Sequence, residues 1–352
     1  MFAYVGSRTT RERNARGDGI SVFSCDEKTG ALTLVQVHDG LINPSFLALN
    51  KSGNRLYAVH GDCQEISAFA VSTDGTIKLL NQQSTGGKNP VHLALSPDEG
   101  HVVVSNHITS SLAVLPVRED GTLAPLLQLT NLSGAPGPHR KEQPFPKPHF
   151  NVFDPSGGFV VIPDKGLDRV FTIPFDQGVL RTELQHELIC REASGPRHIA
   201  FHPTQPWAYV INELNSTVTS CKWHARRGEL EAFQVLSSLS DSFVSNSRAS
   251  EIAVHPLGHT VYTSNRGEES IAVFSVDQAS GRLSLQATVA SGGKTPRFFC
   301  LSPNANHLYV LNEDSDTISV FNVDPDSGDL HYIDLQYHTG SPVCMIFNQH
   351  TS

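Results

Sequence analysis

A segment of about twenty residues recurs along the chain, and this repeat constrains the fold more than any other feature. Six copies are plain: NPSFLALNKSGNRLYAVHG (from residue 43), NPVHLALSPDEGHVVVSNH (89), KPHFNVFDPSGGFVVIPDK (147), GPRHIAFHPTQPWAYVINE (195), ASEIAVHPLGHTVYTSNRG (249) and TPRFFCLSPNANHLYVLNE (295). Prolines head most copies, at spacings of 46 (Pro44 to Pro90), 58 (to Pro148), 48 (to Pro196) and, from Pro296 to Pro342, 46 residues. A repeat of this length indicates an array of similar supersecondary units.

Each copy alternates apolar and polar residues, as two short strands around a polar turn do. A third apolar stretch follows, such as ISAFAV or TISVFNV, and then a Gly-containing turn and a fourth stretch. Four antiparallel strands per unit predict the blades of a β-propeller. A seventh segment of the first-strand type, SPVCMIF at 341, has no further strands after it. It would form a blade with FAYVGS, GISVFS and ALTLVQV from the N-terminus, which closes the ring and removes exposed edges. We therefore predict an all-β, seven-bladed propeller, a single domain over residues 1–352.

In such a blade the start of strand one and the end of strand two share one rim. Around that rim the first position is filled by Ser45, Val91, His149, Arg197, Ser250, Arg297 and Val343. The second position is filled by Arg8, Gly61, His107, Lys165, Glu213, Arg266 and Glu313. Structural positions repeat one residue type, as Tyr209, Tyr262 and Tyr309 do, whereas these two sets diverge into His, Arg, Lys and Glu. This divergence predicts a ligand site at the central mouth. His202 and His255 would serve turns on the opposite rim.

The charge balance restricts the class of partner. The formal net charge is -9 at pH 7 and the pI is about 6.0, which argues against a nucleic-acid or anionic-membrane surface. Positive charge is instead gathered at the predicted mouth, by Arg8, Lys165, Arg197, Arg266 and Arg297. We therefore expect an anionic small molecule as the partner, and the sequence does not indicate an oligomeric state.

Neither a targeting signal nor a cofactor motif is evident. The opening MFAYVGSRTT lacks the charged and apolar regions of a signal peptide, and no run approaches the roughly 18 apolar residues of a membrane span, so we expect a cytoplasmic protein. The six cysteines are dispersed without a C-x-x-C pair and should be free thiols. With no Asp, Glu and Asn cluster that must bind a cation, we predict metal-independent chemistry and no cofactor.

Long stretches of the chain resemble one known family. PHFNVFDPSGGFVVIPDKGLDRV, GPRHIAFHP with AYVINELNSTV, and YTSNRGEESIAVF are similar to segments of the lactonase-type seven-bladed propellers, which include 6-phosphogluconolactonases and 3-carboxy-cis,cis-muconate lactonizing enzymes. The resemblance implies His149, Arg197, Glu213 and Arg266 as catalytic residues, and all four lie at the rim positions that the repeat alignment selects. Where many members have a further histidine, this chain has Lys147.

The resemblance and the rim residues together lead us to expect a lactone hydrolase, most closely a 6-phosphogluconolactonase. His149 or Glu213 could act as the base, and Arg197 and Arg266 could bind an anion or the oxyanion. Candidate substrate-binding residues are Lys147, Lys165, His198 and Arg297. A carboxymuconate cyclase would need similar cations, and a non-catalytic interaction scaffold is the third alternative. The insertion at 131–149 could act as a lid, carry a phosphate contact or remain a solvated loop.

Overall fold

Seven β-sheets form the molecule, and the predicted seven-bladed architecture is confirmed in the computed structural model, which describes residues 1–348. Residues 349–352 of the predicted domain lie outside the described part of the chain. Every blade has four principal strands in antiparallel order. Short stretches of alternating residues therefore give short strands, as a half-buried sheet requires.

The strands are numbered in chain order. Blade 7 contains β1 (Phe2–Ser7), β2 (Gly19–Cys25), β3 (Leu32–Asp39) and β29 (Pro342–Asn348); blade 1 contains β4 (Pro44–Leu49), β5 (Arg55–His60), β6 (Glu65–Val71) and β7 (Ile77–Ser84); blade 2 contains β8 (Pro90–Leu95), β9 (His101–Asn106), β10 (Ser111–Pro116) and β11 (Gln128–Asn131). Blade 3 contains β12 (Val152–Phe153), β13 (Phe159–Asp164), β14 (Arg169–Asp176), the added β15 (Val179–Leu180) and β16 (His186–Ile189).

Blade 4 contains β17 (Pro196–Phe201), β18 (Trp207–Asn212), β19 (Thr217–His224) and β20 (Glu229–Ser237); blade 5 contains β21 (Arg248–Val254), β22 (Thr260–Arg266), β23 (Ser270–Val276) and β24 (Leu283–Ala290); blade 6 contains β25 (Pro296–Leu301), β26 (His307–Asn312), β27 (Thr317–Val323) and β28 (Leu330–His338). Three single 3-10 turns, Arg11–Arg13, Thr182–Leu184 and Glu313–Ser315, are the helical elements of residues 1–348, and none is long or apolar enough to cross a membrane.

The two ends of the chain close the ring as predicted. β1 pairs antiparallel with β29, with Phe2 opposite Asn348 and Tyr4 opposite Ile346, and the sheet order is β29-β1-β2-β3. Blade 7 thus joins the first and last segments of the described chain. This pairing leaves no open strand edge between the termini.

A repeated tyrosine links neighbouring blades. Tyr209, Tyr262 and Tyr309 are fully buried on the second strands, and their hydroxyl groups donate to the carbonyls of Gly281, Gly328 and Gly30 in the next blade. Tyr4 and Tyr57 make the same bond to Gly75 and Gly121. The prediction that Tyr209, Tyr262 and Tyr309 are structural is confirmed. Each satisfies its polar atom while burying a large ring between sheets.

Two insertions, residues 131–149 and 236–250, lie at the rim that carries the predicted site. In the first, Gln143 is buried, and its side-chain amide donates to the carbonyl of Lys165 (2.9 Å) and to Asp168 Oδ1 (2.8 Å). The second ends at β21, where Arg248 Nη1 reaches Glu142 Oε1 of the first insertion at 2.8 Å. The 131–149 segment is therefore held against blade 3, and the two insertions meet each other.

Candidate active site

Backbone irregularities aim the first set of rim residues at the central axis. The β-ladder skips one residue of the first strand in four blades, at Ser45, Val91, Arg197 and Arg297. In blade 5 the ladder skips two residues, Ser250 and Glu251, and in blade 7 the pairing of β29 with β1 skips Val343. A β-bulge leaves the extra residue unpaired and re-aims its side chain. The divergent rim positions are thus largely bulge positions, which the sequence alignment alone does not reveal.

The rim encloses a cavity of about 380 Å³. Of the predicted site residues, Lys147, His149, Lys165, Glu213, Arg266 and Arg297 line it. Arg197 and His198 line a small recess beneath, together with His149 and Arg297. The structure therefore brings all eight predicted residues to one place, six of them at the cavity and two directly below it.

Glu213 is the centre of the charge network. Its Oε2 lies 3.2 Å from Arg197 Nε and 3.3 Å from Arg266 Nη2, and its Oε1 lies 3.2 Å from Lys165 Nζ and 3.7 Å from Arg248 Nη1. The predicted adjacency of Arg197 and Glu213 is confirmed. Burial raises the pKa of Glu213, but Lys165, Arg266, Arg197 and Arg297 together hold it well below its usual value. Glu213 is therefore an ionised anchor for cations.

His149 faces the cavity as an uncharged imidazole. Its ring makes no hydrogen bond to any protein group in residues 1–348, and Nδ1 is buried without a partner. Burial lowers the pKa of His149 well below its usual value, and Arg197, His107, His198 and Lys165 lower it further. His107 lies beside it, with ring centroids 5.2 Å apart, and burial with Lys165 lowers the pKa of His107 to about 3. Both rings are available as neutral acceptors at pH 7.

His198 has both ring nitrogens engaged by protein groups. Nδ1 lies 2.9 Å from Glu251 Oε1, and Nε2 lies 3.0 Å from Arg197 Nη1. Beneath this pair, aromatic rings fill the axis: the Phe150 and His198 centroids are 4.3 Å apart, and the Phe150 and His92 centroids are 3.8 Å apart. The floor of the site is therefore filled by packed aromatic and imidazole rings.

The opposite side of the mouth holds a more balanced cluster. Glu313 Oε1 lies 3.1 Å from Arg8 Nε, and its Oε2 lies 3.6 Å from Arg297 Nη1. Asp62 pairs with Arg13 and lies 3.9 Å from Arg8 Nη1. Each cation on this side has a carboxylate close by, so the excess of positive charge lies on the Glu213 side.

Sequence reasoning missed three residues that the structure places at the site. Glu142 bridges Lys165 Nζ (3.1 Å) and Arg248 Nη1 (2.8 Å); burial raises its pKa, but Lys165 and Arg248 outweigh burial and lower it to about 2. Glu142 and Arg248 lie in the insertions, which have no counterpart in other blades, so no alignment of repeats could select them. Glu251 could have been found from the repeat alignment. It is the one carboxylate at the position that directly follows the first rim residue, which the other blades fill with Phe46, His92, Phe150, His198, Phe298 and Cys344.

Three other predictions concern residues outside the mouth. His202 accepts the backbone N–H groups of Thr204 and Gln205, and His255 accepts that of Leu257, so their assignment to turns is confirmed. All six cysteines are free, as expected. Within residues 1–348, no three His, Cys, Asp or Glu side chains converge in a way that could hold a metal ion.

Comparison with known proteins gives one consistent family. The family described as "Lactonase, 7-bladed beta-propeller" matches residues 2–347. A 6-phosphogluconolactonase of Bacillus subtilis is 33% identical over 350 residues, which cover 99% of each chain. A 6-phosphogluconolactonase of Formosa agariphila is 31% identical over 87% of each chain. Among solved structures, the periplasmic gluconolactonase of Pseudomonas aeruginosa superimposes with a TM-score of 0.90 at 27% identity, over 98% of each chain.

Proposed function

The chain belongs to the seven-bladed β-propeller lactonase family, and on that premise we propose that it hydrolyses an anionic sugar lactone, 6-phosphogluconolactone being the first choice. One observation carries this proposal. An unpartnered neutral histidine, His149, lines the same cavity and recess as the buried cations that surround Glu213. A base beside fixed positive charge is what ester hydrolysis requires.

The anionic group of the substrate would bind to Lys147 and Lys165. Lys147, near the end of the first insertion, is largely buried, its Nζ lies 5.1 Å from the centre of the Phe145 ring, and no carboxylate of residues 1–348 lies within ion-pair distance of it. Lys165 lines the same cavity. A phosphate or carboxylate would supply the counter-charge that Lys147 lacks.

His149 is the better base of the two that the sequence left open. Both carboxylate oxygens of Glu213 face cations, so its lowered pKa makes it a weak base. His149 is uncharged and has no protein partner within the described residues. The cations that lower the pKa of His149 would be offset by a bound anion, so substrate binding would raise the pKa of the imidazole and strengthen it as a base.

Hydrolysis would then proceed in two steps. His149 takes a proton from a water molecule as that water attacks the lactone carbonyl, and Arg197 and Arg266 face the oxyanion that develops. Collapse of the tetrahedral intermediate breaks the ring C–O bond, and the protonated imidazole returns its proton to the leaving alkoxide. One lactone and one water give one hydroxy acid. Arg197 and Arg266 remain cationic at pH 7, since even the lowered pKa of Arg197 is about 9.

Turnover of three substrates tests the proposal. Hydrolysis of 6-phosphogluconolactone and of the unphosphorylated gluconolactone is followed by acid release, and conversion of carboxymuconate is followed by its absorbance. We expect turnover of the phosphorylated lactone, unchanged by a chelator. His149→Ala and Arg197→Ala should each lower kcat/KM by about 10² or more. His186→Ala, on the outer strand β16, and Arg227→Ala, in the turn between β19 and β20, change exposed residues and are the matched controls. Wild-type rates in both site variants would contradict the assignment.

The preference between substrates is a separate outcome. A higher kcat/KM for the unphosphorylated lactone would overturn the anionic substrate while leaving lactone hydrolysis intact. Faster conversion of carboxymuconate would favour the cyclase alternative. A phosphorylated sugar substrate also leads us to propose a cytoplasmic location, which cell fractionation tests.

A further inference from the structure

A buried carboxyl group lies one residue beyond the bulge position of blade 5. Glu251 is 6% exposed, and its Oε1 accepts hydrogen bonds from His198 Nδ1 (2.9 Å) and from the backbone N–H of Ile252 (3.0 Å). Its own backbone N–H donates to Ser264 Oγ at 3.0 Å. These contacts fix Glu251 against blade 4, although it does not line the cavity. It therefore cannot touch a substrate, and any effect on the reaction must pass through His198.

The contacts of His198 settle its tautomer. An arginine can only donate hydrogen bonds, so the Arg197 Nη1 group 3.0 Å from His198 Nε2 requires that nitrogen to accept. The ring is uncharged, because burial together with Arg197 and Arg297 lowers the pKa of His198 well below its usual value. The proton therefore sits on Nδ1 and is donated to Glu251. Without that acceptor, the other tautomer would direct an N–H group at the guanidinium.

Arg197 is the residue whose orientation depends on this arrangement. Its Nη1 donates to His198 Nε2 and to the Ser250 carbonyl (2.7 Å), and its Nε lies 3.2 Å from Glu213 Oε2 as an ion pair without a hydrogen bond. These contacts approach the planar guanidinium from different sides. Loss of the contact with His198 would leave Nη1 held by the Ser250 carbonyl alone and let the guanidinium shift, and a misplaced oxyanion group loses much of its effect.

We propose that Glu251 is a positioning residue that acts through His198 to hold the guanidinium of Arg197 for catalysis. The inference rests on the proposed function for what Arg197 does, and on the contacts above for how it is held. It also reassigns His198, which the sequence placed among substrate-binding residues, to the support of Arg197.

The tautomer of His198 can be measured without any substrate. Long-range 15N–1H correlation spectra of 15N-histidine-labelled protein, with His198 assigned by its loss in His198→Gln, should show the Nδ1–H form in the parent. Glu251→Gln retains an acceptor oxygen and should preserve that form, whereas Glu251→Ala should shift it toward the Nε2–H form. Val261→Ala, a buried core substitution in the same blade, controls for general loosening and should leave the tautomer unchanged. An Nε2–H form in the parent would overturn the inference.

Kinetics test the consequence for Arg197. Glu251→Ala should lower kcat on the lactone about tenfold or more with little change in KM, because one hydrogen bond to a charged group is lost. The kcat of Glu251→Gln should stay within about threefold of the parent. In a protein that already carries Arg197→Ala, Glu251→Ala should cause no further loss of kcat. Additive losses, or equal losses in the Gln and Ala variants, would contradict the positioning role.

The two proposals fail in different ways. If the parent turns over no lactone, the proposed function is wrong, and the tautomer experiment still decides whether Glu251 controls His198. If the parent is active and the tautomer is unaffected by Glu251→Ala, the positioning role is wrong while the proposed function stands.

Discussion

Two buried glutamates flank Arg197, and they differ sharply. Glu213 and Glu251 are 4% and 6% exposed, yet the pKa of Glu213 is held well below its usual value while that of Glu251 is raised to about 8. Burial raises both. Glu213 also has four cationic side chains within 3.7 Å, whereas the nearest side-chain partner of Glu251 is the uncharged His198.

The difference shows that the number of cations in contact, and not the depth of burial, decides which buried carboxyl is charged. At pH 7 Glu213 carries a negative charge that holds Lys165, Arg197 and Arg266 together. The raised pKa of Glu251 favours its protonated form, so it orders His198 without adding a full second negative charge beside the cavity. The Glu213 side of the mouth thus keeps its excess of positive charge.

Substitution of each glutamate by glutamine should give the largest difference between the two, measured as the free energy of unfolding. Glu213→Gln leaves several buried cations without a counter-charge, and we expect it to lower the free energy of unfolding by about 3–5 kcal/mol. Glu251→Gln mimics the protonated carboxyl and should cost less than about 1 kcal/mol. Urea unfolding at pH 7 measures both, with the exposed Glu231→Gln as a control near zero. Equal losses at the two buried positions would show that their charge states do not differ.

The same pair should respond to pH in opposite directions. The folded-state pKa of Glu251 lies above its ordinary value of 4.5, so the folded protein binds the extra proton, and the contribution of Glu251 to stability falls as pH rises from about 5 to 8. The slope would be at most about 1.4 kcal/mol per pH unit. The pKa of Glu213 is lowered, so its contribution is present above pH 4.5 and is lost on acidification below it.

Unfolding titrations of the parent and both glutamine variants test this. The stability advantage of the parent over Glu251→Gln should shrink with rising pH across that window and then level off. The advantage over Glu213→Gln should be constant there and decline only in acid. A flat difference between the parent and Glu251→Gln would mean that Glu251 is already ionised.

The contrast also marks what the sequence can and cannot predict. Glu213 was selected because a residue that follows the second strand must lie on the rim, whatever its type, and the repeat fixes where that strand ends. The seven blades follow for the same reason, since each buries residues of the same kind at the same positions, Tyr209 and Tyr262 among them.

Glu251 was not selected, since it lies one residue beyond the rim position that the repeat alignment singles out. The ladder of blade 5 skips two residues, so both Ser250 and Glu251 leave the regular alternation of the strand. Glu142 and Arg248 were missed for a different reason. They belong to insertions that occur once each, so their contact arises from tertiary packing that has no repeated pattern behind it.

Removing a cation that contacts Glu213 should sharpen the comparison, because the pKa of Glu213 should then move toward that of Glu251. Lys165→Gln deletes the strongest cationic influence on Glu213 and should raise its pKa, so stability should be lost at a higher pH on acidification. Lys147→Gln removes a cation with no carboxylate partner in residues 1–348. It should leave the acid transition unchanged but raise KM for the phosphorylated lactone about tenfold. An unchanged acid midpoint in Lys165→Gln would contradict the charge-network account of Glu213.

Glu142→Gln should have the smallest effect, and its direction is informative. The Glu142 carboxylate is about one-fifth exposed and competes with any bound anion for Lys165 and Arg248. A partly exposed ion pair is worth at most about 1 kcal/mol, so its loss should barely change stability, and Gln143 still anchors the insertion. KM for the phosphorylated lactone should fall about two- to threefold, while KM for the neutral lactone should not change. A higher KM for the phosphorylated lactone would instead mean that Glu142 orders Lys165 for the substrate, and that the positive excess beside Glu213 depends on a carboxylate from outside the repeats.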